Sequence, residues 1–101
     1  VDLVTDGDTL YCLHNGHPMM GSVTGTGCQL SCLVGAFAAA NPDSLLSATA
    51  AAVSAMGLCG EIAHRRLGPE DGNGSYRTYL LDAVYRLTPD QLEKGARYEL
   101  R

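Results

Sequence analysis

The sequence predicts an α/β domain in which a short β-hairpin is followed by three to four helices. Residues 1–14, "VDLVTDGDTLYCLH", alternate with a period of two about a glycine turn. From Gly27 onward the apolar residues recur at helical spacing instead. The length of 101 residues suffices for one small domain and not for two. Apolar residues make up 46% of the chain but aromatics only 6%, with no Trp, so the core has to be built from Ala, Leu and Val.

Val1, Leu3 and Thr5 alternate with Asp2 and Val4, and Asp6-Gly7-Asp8 supplies the turn. Leu10, Cys12 and His14 then alternate with Thr9, Tyr11 and Leu13, and "NGHP" at 15–18 is a second turn signal. Leu30, Leu33, Val34, Phe37 and Ala38 mark one face of a first helix, which "NPDS" ends. Asp43 or Ser44 caps a second helix running to about Arg66. Ala, Ser and Gly dominate nearly all its faces, and small residues all round require close packing, which places this helix inside. "LGPEDGNG" is loop by composition, and Ser75 is the expected cap of a third helix striped by Tyr79, Leu80, Ala83, Val84 and Leu87. Thr88-Pro89 has the cap-then-proline order of a fourth helix start, where Asp90 and Glu93 suit the positive end.

The net charge of −4 argues against a nucleic-acid partner or an anionic membrane. Gly35, Asn41, Pro42 and Asp43 interrupt the richest apolar stretch, so no run is expected to span a bilayer. No basic-then-apolar leader opens the chain. An opening on a strand pattern, without Met, suggests a piece of something longer. The four cysteines (Cys12, Cys28, Cys32 and Cys59) form neither a CxxC pair nor a secreted disulfide pattern, so free thiols in the cytoplasm are expected.

"VTGTGCQLSC" at 23–32 is the segment richest in chemistry. Gly25 and Gly27 remove Cβ where a backbone can turn sharply and approach a ligand. The N–H groups of a first helical turn lack partners and carry the positive end of the dipole, so a phosphate satisfies both. The hydroxyls of Thr24 and Thr26 can add donors to the same anion; the plain alternative is an ordinary strand-to-helix connection. Cys28, read as the first helical residue, sits where the dipole should favour a thiolate. Cys32 lies one turn on, but no His or acid at matching spacing completes a metal site, so Cys32 and Cys59 read as small core residues. His14 and His17 bracket a turn. Gly72, Gly74 and Ser75 in "GNGSY" form a second glycine loop, read locally as a linker and cap.

"NGHPMM", "VTGTGC", the alanine-rich helix, and "GNGSY" followed by "LLDAVYRLT" occur in an order and spacing that resemble the C-terminal part of the hydroxyethylthiazole kinases, ribokinase-like enzymes of thiamine salvage. The resemblance covers essentially all of this chain and only the C-terminal portion of a family member. It implies that residues 1–101 are the C-terminal segment of a ribokinase-like three-layer sandwich, with the N-terminal part absent. It further implies an ATP- and Mg²⁺-dependent kinase acting on the hydroxyethyl group of 4-methyl-5-(2-hydroxyethyl)thiazole.

In ribokinase-like enzymes the equivalent loop reads like "GAGD", with an anion hole followed by a catalytic Asp. Here Cys28 stands at the Asp position. By this resemblance Thr24, Gly25, Thr26 and Gly27 hold the phosphates, Gly25 also touches the thiazole, and Cys28 faces the substrate hydroxyl. The family's Mg²⁺-binding acidic motif, its thiazole-pocket segments and its ATP-contacting Thr precede Val1, so no metal ligand is expected within this segment. The 101 residues alone are expected to be inactive, and the full-length enzyme is expected to be a cytoplasmic homotrimer. Hydroxymethylpyrimidine phosphate kinases share "GTGC", but more often with His before it and "TLS" after; here "VT" and "QLS" flank it. A non-catalytic packing or oligomerisation fragment is the alternative from another class.

Overall fold

Asp6 organises the first turn. In a computed structural model describing all 101 residues, its Oδ1 accepts hydrogen bonds from the backbone N–H groups of Thr9 and Asp8, both at 2.9 Å. Those bonds hold the exposed Asp6 carboxyl below its usual range. Thr5 Oγ1 donates to the Thr9 carbonyl at 2.7 Å and closes the loop from the other side. The turn joins β1 (Asp2–Thr5) to β2 (Leu10–Leu13), antiparallel, with Asp2 opposite Leu13 and Thr5 opposite Leu10. The hairpin is as the alternation predicts.

A third strand, β3 (Tyr98–Leu100), pairs antiparallel with β2 and makes the sheet order β1-β2-β3. Leu13 faces Tyr98 and Tyr11 faces Leu100. Sequence pattern does not reveal this strand, because three residues are too few to display a period.

Four helices follow the hairpin in the chain: α1 (Thr26–Ala40), α2 (Leu45–Arg66), α3 (Asn73–Arg86) and α4 (Pro89–Gly95). "NGHP" leads into a 3-10 helix, Pro18–Ser22, whose first turn is capped by His17 Nδ1 accepting from Met19 N–H at 3.1 Å. α4 begins with the expected Thr88-Pro89 order and a complete capping box between Thr88 and Gln91. α3 starts earlier than expected: Gly72 is its N-cap, and Ser75 lies inside the helix.

α2 is the axis on which the rest assembles. Eleven of its 22 residues are buried, between α1, α3 and the sheet. Contrary to the expectation that no run is long enough, α2 has the length and apolarity to cross a membrane, because the interruptions at Gly35 to Asp43 all precede it. Here it serves as the core helix. Ala and Leu dominate the buried set as expected, but Val contributes only Val23, and the largest fully buried side chain is Tyr76. Tyr76 packs with Val23, Met56, Cys59, Ala63, Leu80 and Ala83, and its hydroxyl donates to the Gly60 carbonyl at 2.9 Å. That bond removes the penalty of burying a phenol, and desolvation pushes the Tyr76 pKa up.

Asn15, 7% exposed, is the polar centre of the structure. Its amide donates to Glu61 Oε2 at 2.6 Å and to the Gly95 carbonyl at 3.0 Å, while its Oδ1 accepts from Arg97 N–H at 2.8 Å. Glu61 also accepts from Gly16 N–H at 3.1 Å and from Arg97 Nη1 at 2.8 Å, and Arg97 Nη2 donates to the His14 carbonyl at 3.1 Å. Gly57 lets this loop reach α2, since a Cβ there would lie 2.8 Å from both the carbonyl carbon and oxygen of Asn15. Burial alone would raise the Glu61 pKa; the hydrogen bonds from Arg97, Asn15 and Gly16, with the Arg97 charge, outweigh it and hold the carboxyl below its ordinary value of 4.5.

Gly57→Ala must displace backbone rather than a side-chain tip, so chemical denaturation should show a loss of about 1–3 kcal/mol or more. Because the folded Glu61 pKa is depressed, its stabilisation is complete above 4.5 and is lost as pH falls through the folded value. Glu61→Gln should therefore flatten the acid limb of stability against pH. Glu61→Ala should cost about 1–3 kcal/mol at neutral pH by stranding the Asn15 amide and Gly16 N–H.

Candidate functional site

Val23 anchors the glycine loop. It is 8% exposed within the α2–α3 core, and its N–H donates to the Met20 carbonyl at 3.3 Å. Thr26 Oγ1 reaches the same carbonyl at 3.4 Å, tying the start of α1 to the end of the 3-10 helix. Between these ties the chain turns through Thr24 and Gly25. Gly25 is the N-cap of α1 at φ 96°, ψ 0°, a left-handed conformation that a side chain would strain. The glycine expected for its freedom from Cβ is therefore required by the backbone itself.

Thr26, Gly27 and Cys28 occupy the first three helical positions, so Cys28 stands third and not first as the sequence suggested. The helix begins earlier because Gly25, rather than a later residue, takes the capping role. The first intrahelical bond runs from Gln29 N–H to the Gly25 carbonyl at 3.0 Å. No side chain caps the preceding N–H groups and no acid lies in the first turn. Thr24 and Gly27 are exposed and Gly25 and Thr26 are half-buried, so these residues form a rim of donors at the positive end of a 15-residue helix. An oxyanion fits that chemistry.

Cys28 is exposed beside this rim. Cys32, read from the sequence as a core residue, is exposed too, one turn along the same face; Leu30, Leu33, Val34, Phe37 and Ala38 form the half-buried face instead. The spacing of that face itself sets Cys28 and Cys32 on the opposite side of α1; a small apolar side chain alone does not make a core position. Cys59 is fully buried as expected, and desolvation pushes its thiol up to about 11. No three His, Cys, Asp or Glu side chains converge as a metal site.

The second glycine loop is more than a linker. Asn73 Nδ2 donates to the Ser22 carbonyl at 3.2 Å, drawing the start of α3 against the segment two residues ahead of Thr24. The local signal was an Asn between two glycines at a helix start, a pattern that suits tight backbone contact. His14 and His17 stay apart from the rim: His14 approaches Glu99 at 3.9 Å, and the His17 ring stacks on His64 with 3.6 Å between centroids.

Comparison with known proteins points to one family. The hydroxyethylthiazole kinase family matches residues 1–90. The hydroxyethylthiazole kinase of Clostridium acetobutylicum is 48% identical over 99 residues, 98% of this chain and 36% of that protein. That of Desulfotalea psychrophila is 50% identical over 96 residues, 95% of this chain and 34% of that protein. The solved structure of hydroxyethylthiazole kinase protein from Pyrococcus horikoshii superposes on all of this chain with a TM-score of 0.89 at 34% identity, over 38% of its own length. The chain thus spans about a third of the length of these relatives.

The thiol exposures give a direct check. Under native conditions a disulfide reagent such as DTNB should titrate Cys28 and Cys32 rapidly, while Cys12 and Cys59 should react only after denaturant is added.

Proposed function

The chain belongs to the hydroxyethylthiazole kinase family, and from that premise we propose that residues 1–101 are the C-terminal segment of a ribokinase-like kinase domain. The whole protein transfers the γ-phosphoryl group of ATP to the hydroxyethyl arm of 4-methyl-5-(2-hydroxyethyl)thiazole in thiamine biosynthesis or salvage. One observation carries this reading: the uncapped, acid-free start of α1, with Cys28 exposed directly beside it. In phosphoryl transfer the protein's task is to position the groups and to stabilise charge on the transferring oxygens.

Thr24, Gly25, Thr26 and Gly27 supply that stabilisation. Their backbone N–H groups and hydroxyls form the anion hole, and Gly25, lacking a side chain, also lets the thiazole approach. Cys28 Sγ aligns the acceptor hydroxyl and receives its proton as the oxygen attacks. Such a base contributes roughly 10²–10⁴-fold.

Mg²⁺ does not fit this segment, since the first turn of α1 holds no acid and no carboxylates converge. Its ligands belong to the remainder of the protein, as does the rest of the thiazole pocket, and the 101 residues alone are inactive. The assembled enzyme is a cytoplasmic homotrimer; four free cysteines suit a reducing compartment. The flanks "VT" and "QLS", together with relatives named for the thiazole enzyme, favour it over a hydroxymethylpyrimidine phosphate kinase.

A chimera joining the preceding part of the Clostridium acetobutylicum enzyme to residues 1–101 tests the reading. It should phosphorylate the thiazole alcohol with ATP. A folded chimera that fails to phosphorylate it would overturn the reading of these residues as the segment that completes the kinase site. Within the chimera, Cys28→Ala should lower kcat by roughly 10–10³-fold with the KM for ATP nearly unchanged. Cys28→Asp should keep substantial activity, and a kcat for Cys28→Ala equal to the parent's would remove the thiol from the chemistry. Gly25→Ala should raise the KM for ATP, because the left-handed turn that aims the donors becomes strained.

A further inference from the structure

Ser22 and Val23 share one peptide unit, and both of its polar ends are held. The Ser22 carbonyl accepts from Asn73 Nδ2 at 3.2 Å, and the Val23 N–H donates to the Met20 carbonyl at 3.3 Å. A peptide unit is planar, so fixing its oxygen and its hydrogen stops it from swivelling between its two Cα atoms. Thr24 and Gly25 come next, and the left-handed turn at Gly25 opens α1. Both partners of the peptide are tied to α2. Asn73 is the first residue of α3, one turn ahead of Tyr76, which is fully buried and donates to the Gly60 carbonyl. The Met20 side chain occupies space beside Gly60 that a Cβ there would take. Asn73 is not spent on capping its own helix, since Gly72 holds the N-cap position and no side chain caps that end.

We propose that Asn73 is a positioning residue for phosphoryl transfer: its amide sets the plane of the Ser22–Val23 peptide and so aims the donors from Thr24 to Gly27. This role rests on the kinase reading of that rim. Asn73 itself touches neither the phosphates nor the thiazole; it acts through the backbone. Donors that stabilise a developing oxyanion must be aimed before the charge appears. Misplacing them by about an ångström costs on the order of 100-fold in rate. A swivelling Ser22–Val23 peptide would pass its motion directly into the turn at Gly25. The residue type suits the task, because an Asn amide offers a donor on a short stem, whereas an ionised Asp would only set an acceptor against the carbonyl oxygen. Every bond in this chain of contacts joins two residues of the segment, so it is the same whatever covers these elements in the whole protein.

The test uses the chimera described above, so that the segment sits in a whole kinase. Asn73→Ala should speed amide hydrogen exchange at Val23 and Thr24 by about 3–10-fold, the effect of losing one such bond. It should lower kcat/KM for ATP by roughly 10-fold, while the thermal midpoint moves by no more than a few degrees. Asn73→Leu, close in size but without a donor, should behave in the same way. Added to Gly25→Ala, Asn73→Ala should cost less than about threefold more, because both changes act on one turn. A general loss of structure would instead multiply in full with the Gly25→Ala effect. Unchanged exchange at Val23 and Thr24, or fully multiplying losses in the double variant, would overturn the proposal. A folded parent chimera without activity would sink the kinase reading instead, and exchange would still decide whether Asn73 holds the turn.

Discussion

The Asn15 side chain is where separate parts of this fold are made to agree. Its amide and carbonyl meet the α2 carboxylate of Glu61, the last residue of α4 and the backbone of Arg97. Each of these bonds has its donor and acceptor matched, which is the condition under which a buried polar group stabilises instead of costing. An apolar residue at this place would pack, but it would not specify which turn of α2 the loop must meet. The neighbouring Gly57 completes the specification by letting backbone touch helix. The loop from Asn15 continues through His17 into the 3-10 helix, and from there into Val23 and the glycine turn. The position of the donor rim is thus inherited from α2, through a short and well-tethered segment.

That inheritance explains why a site made mostly of backbone can be definite. N–H groups have no rotamers; their direction is set by where the chain is held. Val23 is fixed in the core, Thr26 is tied to the Met20 carbonyl, and Asn73 bonds the Ser22 carbonyl from the side. Gly25 then makes a backbone turn that a side chain would oppose. Cys28, by contrast, projects from a face that nothing within these residues covers.

Much of this was legible in the sequence, for reasons that differ by element. The hairpin, α1, α2 and α4 carry local signatures, namely alternation, helical spacing, a cap and a proline, and local signatures survive without knowledge of the fold. Ser75 was mistaken for a cap because Ser is a strong capping residue, whereas the helix uses Gly72 and packs Tyr76 inward immediately. β3 and the Asn15 clamp were invisible because their partners lie far away along the chain. The glycine loop announced itself through residue types. The exposure of Cys32 was legible in the helical spacing, which sets it opposite Leu30, Leu33 and Phe37, but not in its residue type, which suits a core.

The span of the Asn15 contacts also governs how the chain can fold. The bond from Arg97 N–H to Asn15 closes a separation of 82 residues, and β2 pairs with β3 over a comparable distance. The helices can form from near neighbours in microseconds, but the sheet and its clamp must wait for this large loop to close. Loop closure carries its entropic cost before any clamp bond is made, and lengthening an already long loop adds little to it. The third strand should therefore join late in folding and be first to leave in unfolding. Hydrogen exchange at Leu10, His14 and Arg101, whose amides bond across this junction, would follow the opening of the whole sheet edge and not the fraying of single residues.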